Sequence, residues 1–302
     1  MSDPYPAICD YEGSDYQESF WERGGRAYED GAEALALRKL LPESGGRLLE
    51  VGAGAGRNTP RYAGFAEVTL LDYSRSQLEQ ARKRLGDSPR YRYVLADVYR
   101  MPFGPGAFDA ATMIRTLHHM QDPLAALRRV REALAGEAVF VLEFANKRNL
   151  RAIGRWLARR QAWSPFDPAP VEFARLNYDF HPAEVQRWLA EAMFHVERLV
   201  PVSHLRVGWL KRLAPLGLLL TIEGTLQRLG RIWLYTPSIF VRARARGPSA
   251  SLRAGDGGQV GDAFWRCPAC ESLEMTESEE GLRCGKCGRQ WPKRGGIFEF
   301  RQ

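Results

Sequence analysis

An alternation of two kinds of segment constrains this chain more than any other feature. Apolar runs too short to be helices recur at Gly46–Gly54, Ala66–Ser74, Arg90–Val98, Phe108–Ile114, Glu137–Phe144, Phe194–Val202 and Ser238–Ala245, each set off by polar or helical stretches. Pro123–Leu134 and Ala183–Met193 read as two of the intervening helices. Strand, helix, strand implies parallel strands joined by crossovers. The expectation is an α/β fold with a mostly parallel seven-stranded sheet and helices on both faces. A helical lid is expected over residues 10–41, closed by a proline that cannot continue it, and a helical insertion over about 206–235. Residues 247–263 drop to glycine, serine and polar side chains, the composition of a flexible linker. The domain boundary is therefore expected near Gly247, with domains at 1–246 and 264–302.

Length and composition agree with more than one domain. The chain has 302 residues, 45% hydrophobic and 26% charged, which suits a soluble protein. A net charge of +7 favours anionic partners, nucleic acid or a lipid surface. The first fifteen residues carry acids and prolines where a signal peptide has a basic start and an apolar run, so a cytoplasmic location is expected. Leu213–Ile222 is the longest apolar run and is too short to span a membrane, so no transmembrane segment is expected.

The first run ends in "LLEVGAGAGRNT", with Glu50 two residues before glycines at 52, 54 and 56. Such a turn needs glycine because the backbone must bend sharply and approach a ligand closely. A dinucleotide fingerprint would want glycine at position 57, where Arg57 stands, so a nicotinamide or flavin enzyme is the weaker rival. Asp72 closes the second run, where a carboxylate can accept both ribose hydroxyls, and Asp97 follows the third. Together these residues resemble the class I S-adenosylmethionine-dependent methyltransferases, over roughly residues 45–145. The resemblance implies a Rossmann-like fold and S-adenosylmethionine as cofactor. It also implies Gly52 and Gly54 under the methionine part, Glu50 orienting its amino group, Asp72 on the ribose, Asp97 and Val98 near the adenine, and the backbone around Ile114 and Arg115 facing the methionine. The same picture puts Arg26 and Tyr28 over the cofactor as part of the lid, or else packs that helix on the sheet edge.

Four of the five cysteines form two C-x-x-C pairs, Cys267 with Cys270 and Cys284 with Cys287. Two such turns complete a tetrahedron around Zn2+, and so small a module needs a staple. Iron remains the alternative ion. The segment after the last cysteine, with Trp291-Pro292 and Gly296-Ile297, resembles the zinc-ribbon activator subunit of certain tRNA, ribosomal RNA and translation-factor methyltransferases. That resemblance implies either intramolecular activation or substrate recognition, beside a purely stabilising ribbon.

Methyl transfer is an in-line displacement governed by alignment and exclusion of water. A phenol, enol or amine acceptor would profit from a base, for which His118 and His119 are the candidates. The arginines at 148, 151, 155 and 159 recur at helical spacing and could meet phosphates, a lipid surface or only solvent. The apolar insertion lies where an acceptor-pocket cap is expected, so a small, lipophilic acceptor is favoured. RNA or protein acceptors, peripheral membrane contact, and a non-catalytic cofactor-binding module are the alternatives.

Overall fold

The computed structural model describes residues 6–10, 12–13, 25–229, 234–247 and 263–301. Most of the expected linker and part of the expected lid, residue 11 and residues 14–24, lie outside the described residues. In chain order the elements are α1 (Ala27–Leu40), β1 (Gly45–Val51), β2 (Phe65–Asp72), α2 (Arg75–Leu85), β3 (Tyr91–Leu95), β4 (Phe108–Met113), α3 (Pro123–Ala133), β5 (Leu134–Ala145), α4 (Leu150–Leu157), β6 (Val171–Ala174), β7 (Asn177–Asp179), α5 (Pro182–Glu191), β8 (Phe194–Val202), α6 (Gly208–Leu213), α7 (Leu216–Leu229), β9 (Ser238–Ala245), β10 (Met275–Ser278), β11 (Gly281–Cys284), β12 (Gln290–Arg294) and β13 (Ile297–Glu299).

The expected seven strands form one sheet in the order β3-β2-β1-β4-β5-β9-β8, and the strand order reverses between β2-β1 and β1-β4. β1 to β5 run parallel, whereas β9 is antiparallel to both β5 and β8. Side chains alternate between two buried faces. Leu49, Val51, Phe140 and Leu142 pack with α3 and α5, while Leu48, Val139 and Val141 pack with α1, α2 and α7. Burial on both faces explains why these strands read as nearly continuous apolar runs.

The sheet does not stop at β3. The four strands of the cysteine module extend it in the order β10-β11-β12-β13, and β13 pairs parallel with β3, Ile297 opposite Tyr93 and Phe298 opposite Val94. Phe300 N–H donates to the Leu95 carbonyl at 2.8 Å, Gly104 N–H to Phe264 at 2.9 Å and Arg266 N–H to Pro102 at 2.9 Å. Trp265 stacks on Phe103 with centroids 5.8 Å apart and meets Phe298 at 4.9 Å and Phe300 at 5.4 Å. One hydrophobic cluster thus runs from the ribbon into the large sheet. No helix among the described residues is long and apolar enough to cross a membrane.

Candidate functional site

In an open α/β sheet the ligand crevice forms at the carboxyl ends of the strands where their order reverses, here β1 and β4. A cavity of about 140 Å³ lies there, lined by Glu50, Gly52, Gly54, Asp72, Val98, Ile114, Arg115 and His119 among others. Gly52 and Gly54 have φ of +69° and +53°, a region that side chains disfavour. A Cβ on Gly52 would also stand 2.2 Å from Thr116 Oγ1, so the turn can follow this path only with glycine. Asp72 accepts Gly54 N–H at 2.7 Å on Oδ2 and Ser74 N–H at 2.9 Å on Oδ1, and the Tyr73 N–H also bonds to it, which fixes its carboxylate. Burial raises its pKa against these hydrogen bonds. Burial likewise pushes Glu50 up to about 7, although Thr59 donates to it at 2.6 Å and Tyr62 at 3.3 Å.

Two of the expected site residues stand apart. Asp97 does not line the cavity: its Oδ1 accepts Tyr99 N–H at 2.7 Å, capping the short turn Val98–Arg100, and its Oδ2 lies 3.4 Å from Arg100. His118 is also outside the lining. Its Nδ1 is buried without a hydrogen-bond partner, and burial lowers its pKa well below the usual imidazole value. His119 does line the cavity, with Nδ1 3.2 Å from the Leu176 carbonyl and a pKa lowered to about 4, chiefly by burial.

Several contacts at this site had no local signal in the sequence. Arg57, the misfit in the dinucleotide motif, reaches Glu33 Oε2 at 2.5 Å and also pairs with Asp30, tying α1 to the glycine turn. Arg61 joins Asp30 at 2.6 Å. Arg115 has φ of +57°, and its N–H donates to Glu143 at 2.9 Å. The amino-terminal strap crosses the cavity with Ile8 and Cys9 in its lining. Ile8 bridges to Met120 on one side, and on the other Glu12 accepts N–H groups of Arg75 at 2.7 Å and Ser76 at 3.2 Å. From the ribbon's end, Arg301 donates to Asp10 at 2.6 Å and to the carbonyl of Tyr73, itself a lining residue, at 3.1 Å.

A second cavity of about 690 Å³ lies between α4, the segment before α6, and α7. Leu150, Leu205, Val207 and Leu226 make its walls largely apolar, with Arg151 and Arg206 as its cations and no acid in its lining. Neither Arg26 nor Tyr28 lines either cavity. Tyr28 is buried against the insertion instead, its hydroxyl donating to Glu223 at 2.5 Å and accepting Leu205 N–H at 2.9 Å. Glu223 itself gathers Ser203 N–H, His204 and Gln227 within 3.2 Å, which answers why an acid sits in an apolar helix.

Sγ atoms of Cys267, Cys270, Cys284 and Cys287 all lie within 4.8 Å of one another, with Cys270 3.5 Å from Cys284 and Cys267 3.8 Å from Cys287. Four sulfurs each ~2.3 Å from one tetrahedral ion stand about 3.8 Å apart, so the donor set has the size that zinc requires.

Residues 49–142 match the family described as a methyltransferase domain. An O-methyltransferase of Penicillium expansum is 31% identical over 42% of this chain and 50% of its own length. A demethylmenaquinone methyltransferase of Clavibacter sepedonicus is 32% identical over 36% and 45%. The chain thus spans about half the length of these curated relatives. Among solved structures, an S-adenosylmethionine-dependent methyltransferase of Mesorhizobium loti superposes with a TM-score of 0.51 at 22% identity, covering 70% of this chain and 97% of that one. A chain of the complex that holds the Haloferax volcanii Trm112 methyltransferase activator gives 0.54 at 14% identity, covering 77% and 96%. At these identities the structural likeness is one of fold. Residues 49–142 are thus similar to a methyltransferase domain, and the chain shares the Rossmann-like fold of solved S-adenosylmethionine-dependent methyltransferases.

Proposed function

We propose that the chain transfers a methyl group from S-adenosylmethionine to a small, lipophilic acceptor, with residues 1–246 as catalytic domain and 264–302 as a zinc ribbon. One observation carries the reading: the glycine turn, a buried acid and a fixed carboxylate converge at the single point where the strand order reverses. The cofactor, when bound, supplies an electrophilic methyl carbon. Asp72 would accept hydrogen bonds from the ribose hydroxyls of the cofactor. Glu50 would face the amino group of the methionine part, and Gly52 would let the backbone pass beneath it. The Leu176 carbonyl can only accept, so His119 carries its proton on Nδ1 and presents Nε2 as an acceptor. With a pKa near 4 the ring is neutral at physiological pH. It would orient an acceptor hydroxyl that reaches into the smaller cavity rather than hold its proton, with alignment supplying most of the rate. The larger cavity, apolar and cationic, fits a lipophilic acceptor. Its apolar lining is consistent with the demethylmenaquinone in the name of one curated relative.

Calorimetry with S-adenosylmethionine tests this reading directly. Wild type is expected to bind, and Asp72→Ala to bind about 10- to 100-fold more weakly, the worth of charge-assisted hydrogen bonds. Undiminished affinity in the variant would overturn the assignment. Radiolabel carried from cofactor into fractions of a host extract would then identify the acceptor.

The four sulfurs would hold zinc as thiolates, stapling a module with little core of its own. About one equivalent of zinc is expected by metal analysis, and Cys284→Ser should lose it. A second reading, an RNA or protein methyltransferase with a built-in activator, is favoured by the pairing of β13 with β3 and by the fold shared with a chain of an activator complex. Steeply salt-dependent binding to tRNA or ribosomal RNA would support it.

A further inference from the structure

Two stretches of this chain contain no acidic residue. Residues 145–166 hold six cations, among them Arg151, Arg159 and Arg160, and residues 198–222 hold Arg198, Arg206, Lys211 and Arg212. Both wall the larger cavity, through Leu150 and Arg151 on one side and Leu205 to Val207 on the other, and the Arg151 guanidinium donates to the Arg206 carbonyl. The same two stretches carry most of the exposed large apolar side chains. Leu213 is 78% exposed, Trp209 61%, Leu218 53% and Leu216 43%, clustered where α6 passes into α7, and Leu157 projects from α4. Among the described residues Arg159, Arg160 and Arg212 form no ion pair, so their charge is not spent inside the protein.

We propose that this face, the α6–α7 tip together with α4, docks on an anionic lipid surface. A contiguous apolar tip costs free energy in water and gains it at the acyl boundary, where tryptophan and leucine bury while the long cationic side chains reach the headgroups. Glu29 of α1 offsets Lys211 and Arg206, but neither stretch brings an acid of its own, so Arg159, Arg160 and Arg212 leave this face net positive toward a negatively charged plane. Nucleic acid would use the cations and leave Leu213, Leu216 and Leu218 in water, so the apolar tip favours lipid over RNA. Docked in this way, the protein presents the larger cavity beside the bilayer, where a lipophilic molecule dissolves. The inference stands on the surface alone and does not depend on which molecule receives the methyl group.

Co-sedimentation of the full chain with vesicles tests it. Vesicles of phosphatidylcholine with phosphatidylglycerol are expected to carry the protein down, and pure phosphatidylcholine to leave it in solution. Leu213→Asp combined with Leu218→Asp should weaken vesicle binding at least about tenfold. The pair Arg159→Glu and Arg212→Glu should abolish the preference for anionic vesicles. Both variants alter exposed positions outside the two cavities, so their calorimetric affinity for S-adenosylmethionine should match wild type and report intact folding. The proposal is overturned by failure to bind anionic vesicles, by equal binding to neutral ones, or by binding undiminished in the aspartate variant. A concentration-dependent dimer lost in that variant, with no vesicle binding, would overturn it in favour of a second copy of the chain.

Discussion

The two cavities of this protein are built by opposite means. The smaller is made from backbone: a turn with two positive-φ glycines, a carboxylate fixed by main-chain N–H groups, and a strap bridged across the mouth. The larger is lined mainly by side chains, apolar leucines and a valine with two arginines, drawn from α4, the segment before α6, and α7. A pocket of the first kind suits a ligand that never changes, because its shape is set by conformations that few residues allow. One of the second kind can be reshaped by ordinary substitutions while the sheet stays intact.

That contrast can be broken most forcefully by filling the second cavity. Leu226→Trp should lower kcat/KM for the acceptor at least about tenfold while leaving the calorimetric Kd for S-adenosylmethionine unchanged. If cofactor affinity falls as far, the two cavities are one site and the comparison fails.

A pH series sharpens the backbone-built side. Glu50 has a folded pKa of about 7, above its unfolded value, so the stability gained from its neutral form is complete below the unfolded pKa and is lost as pH rises through 7. The unliganded protein should lose about 3 kcal/mol over that window, read from denaturant midpoints, with Glu50→Gln flattening the profile. Affinity for a ligand bearing an ammonium group should move the other way, rising with pH up to about 7, because the ionised carboxylate is its partner. The smallest effect is expected at the strap. Arg301→Ala removes its exposed tie to Asp10 and should raise the cofactor Kd only about two- to fivefold.

The same division explains what could be read from residue order. That Gly52, Gly54, Glu50 and Asp72 gather in one cavity was legible, because a sharp glycine turn flanked by acids stands at short separations along one strand and turn. The cysteine pairs were legible for the same reason. Arg57 is the instructive miss: its partners Asp30 and Glu33 lie on a helix more than twenty residues upstream, and charged residues on a helix look alike whether they face solvent or a glycine turn. Tyr28 and Glu223 are 195 residues apart and meet in the core, a pairing without any local pattern. Asp97 carries a weaker signal, since an acid after a strand suits a ligand as well as the next turn, and its Oδ1 caps the turn beside the lining residues Ala96 and Val98. The apolar walls of the larger cavity use the residues of any core, so only their excess over what a surface helix needs gave a hint.

The union of β13 with β3 has one more consequence. A sheet margin offers unpaired N–H and C=O groups that invite aggregation with other chains. Where the covering module is a separate molecule, dilution uncovers the margin. Here both lie on one polypeptide, so the encounter is unimolecular and its effective concentration is set by chain length, not by how much protein the cell makes. Scarcity of the partner is a fault this architecture does not share.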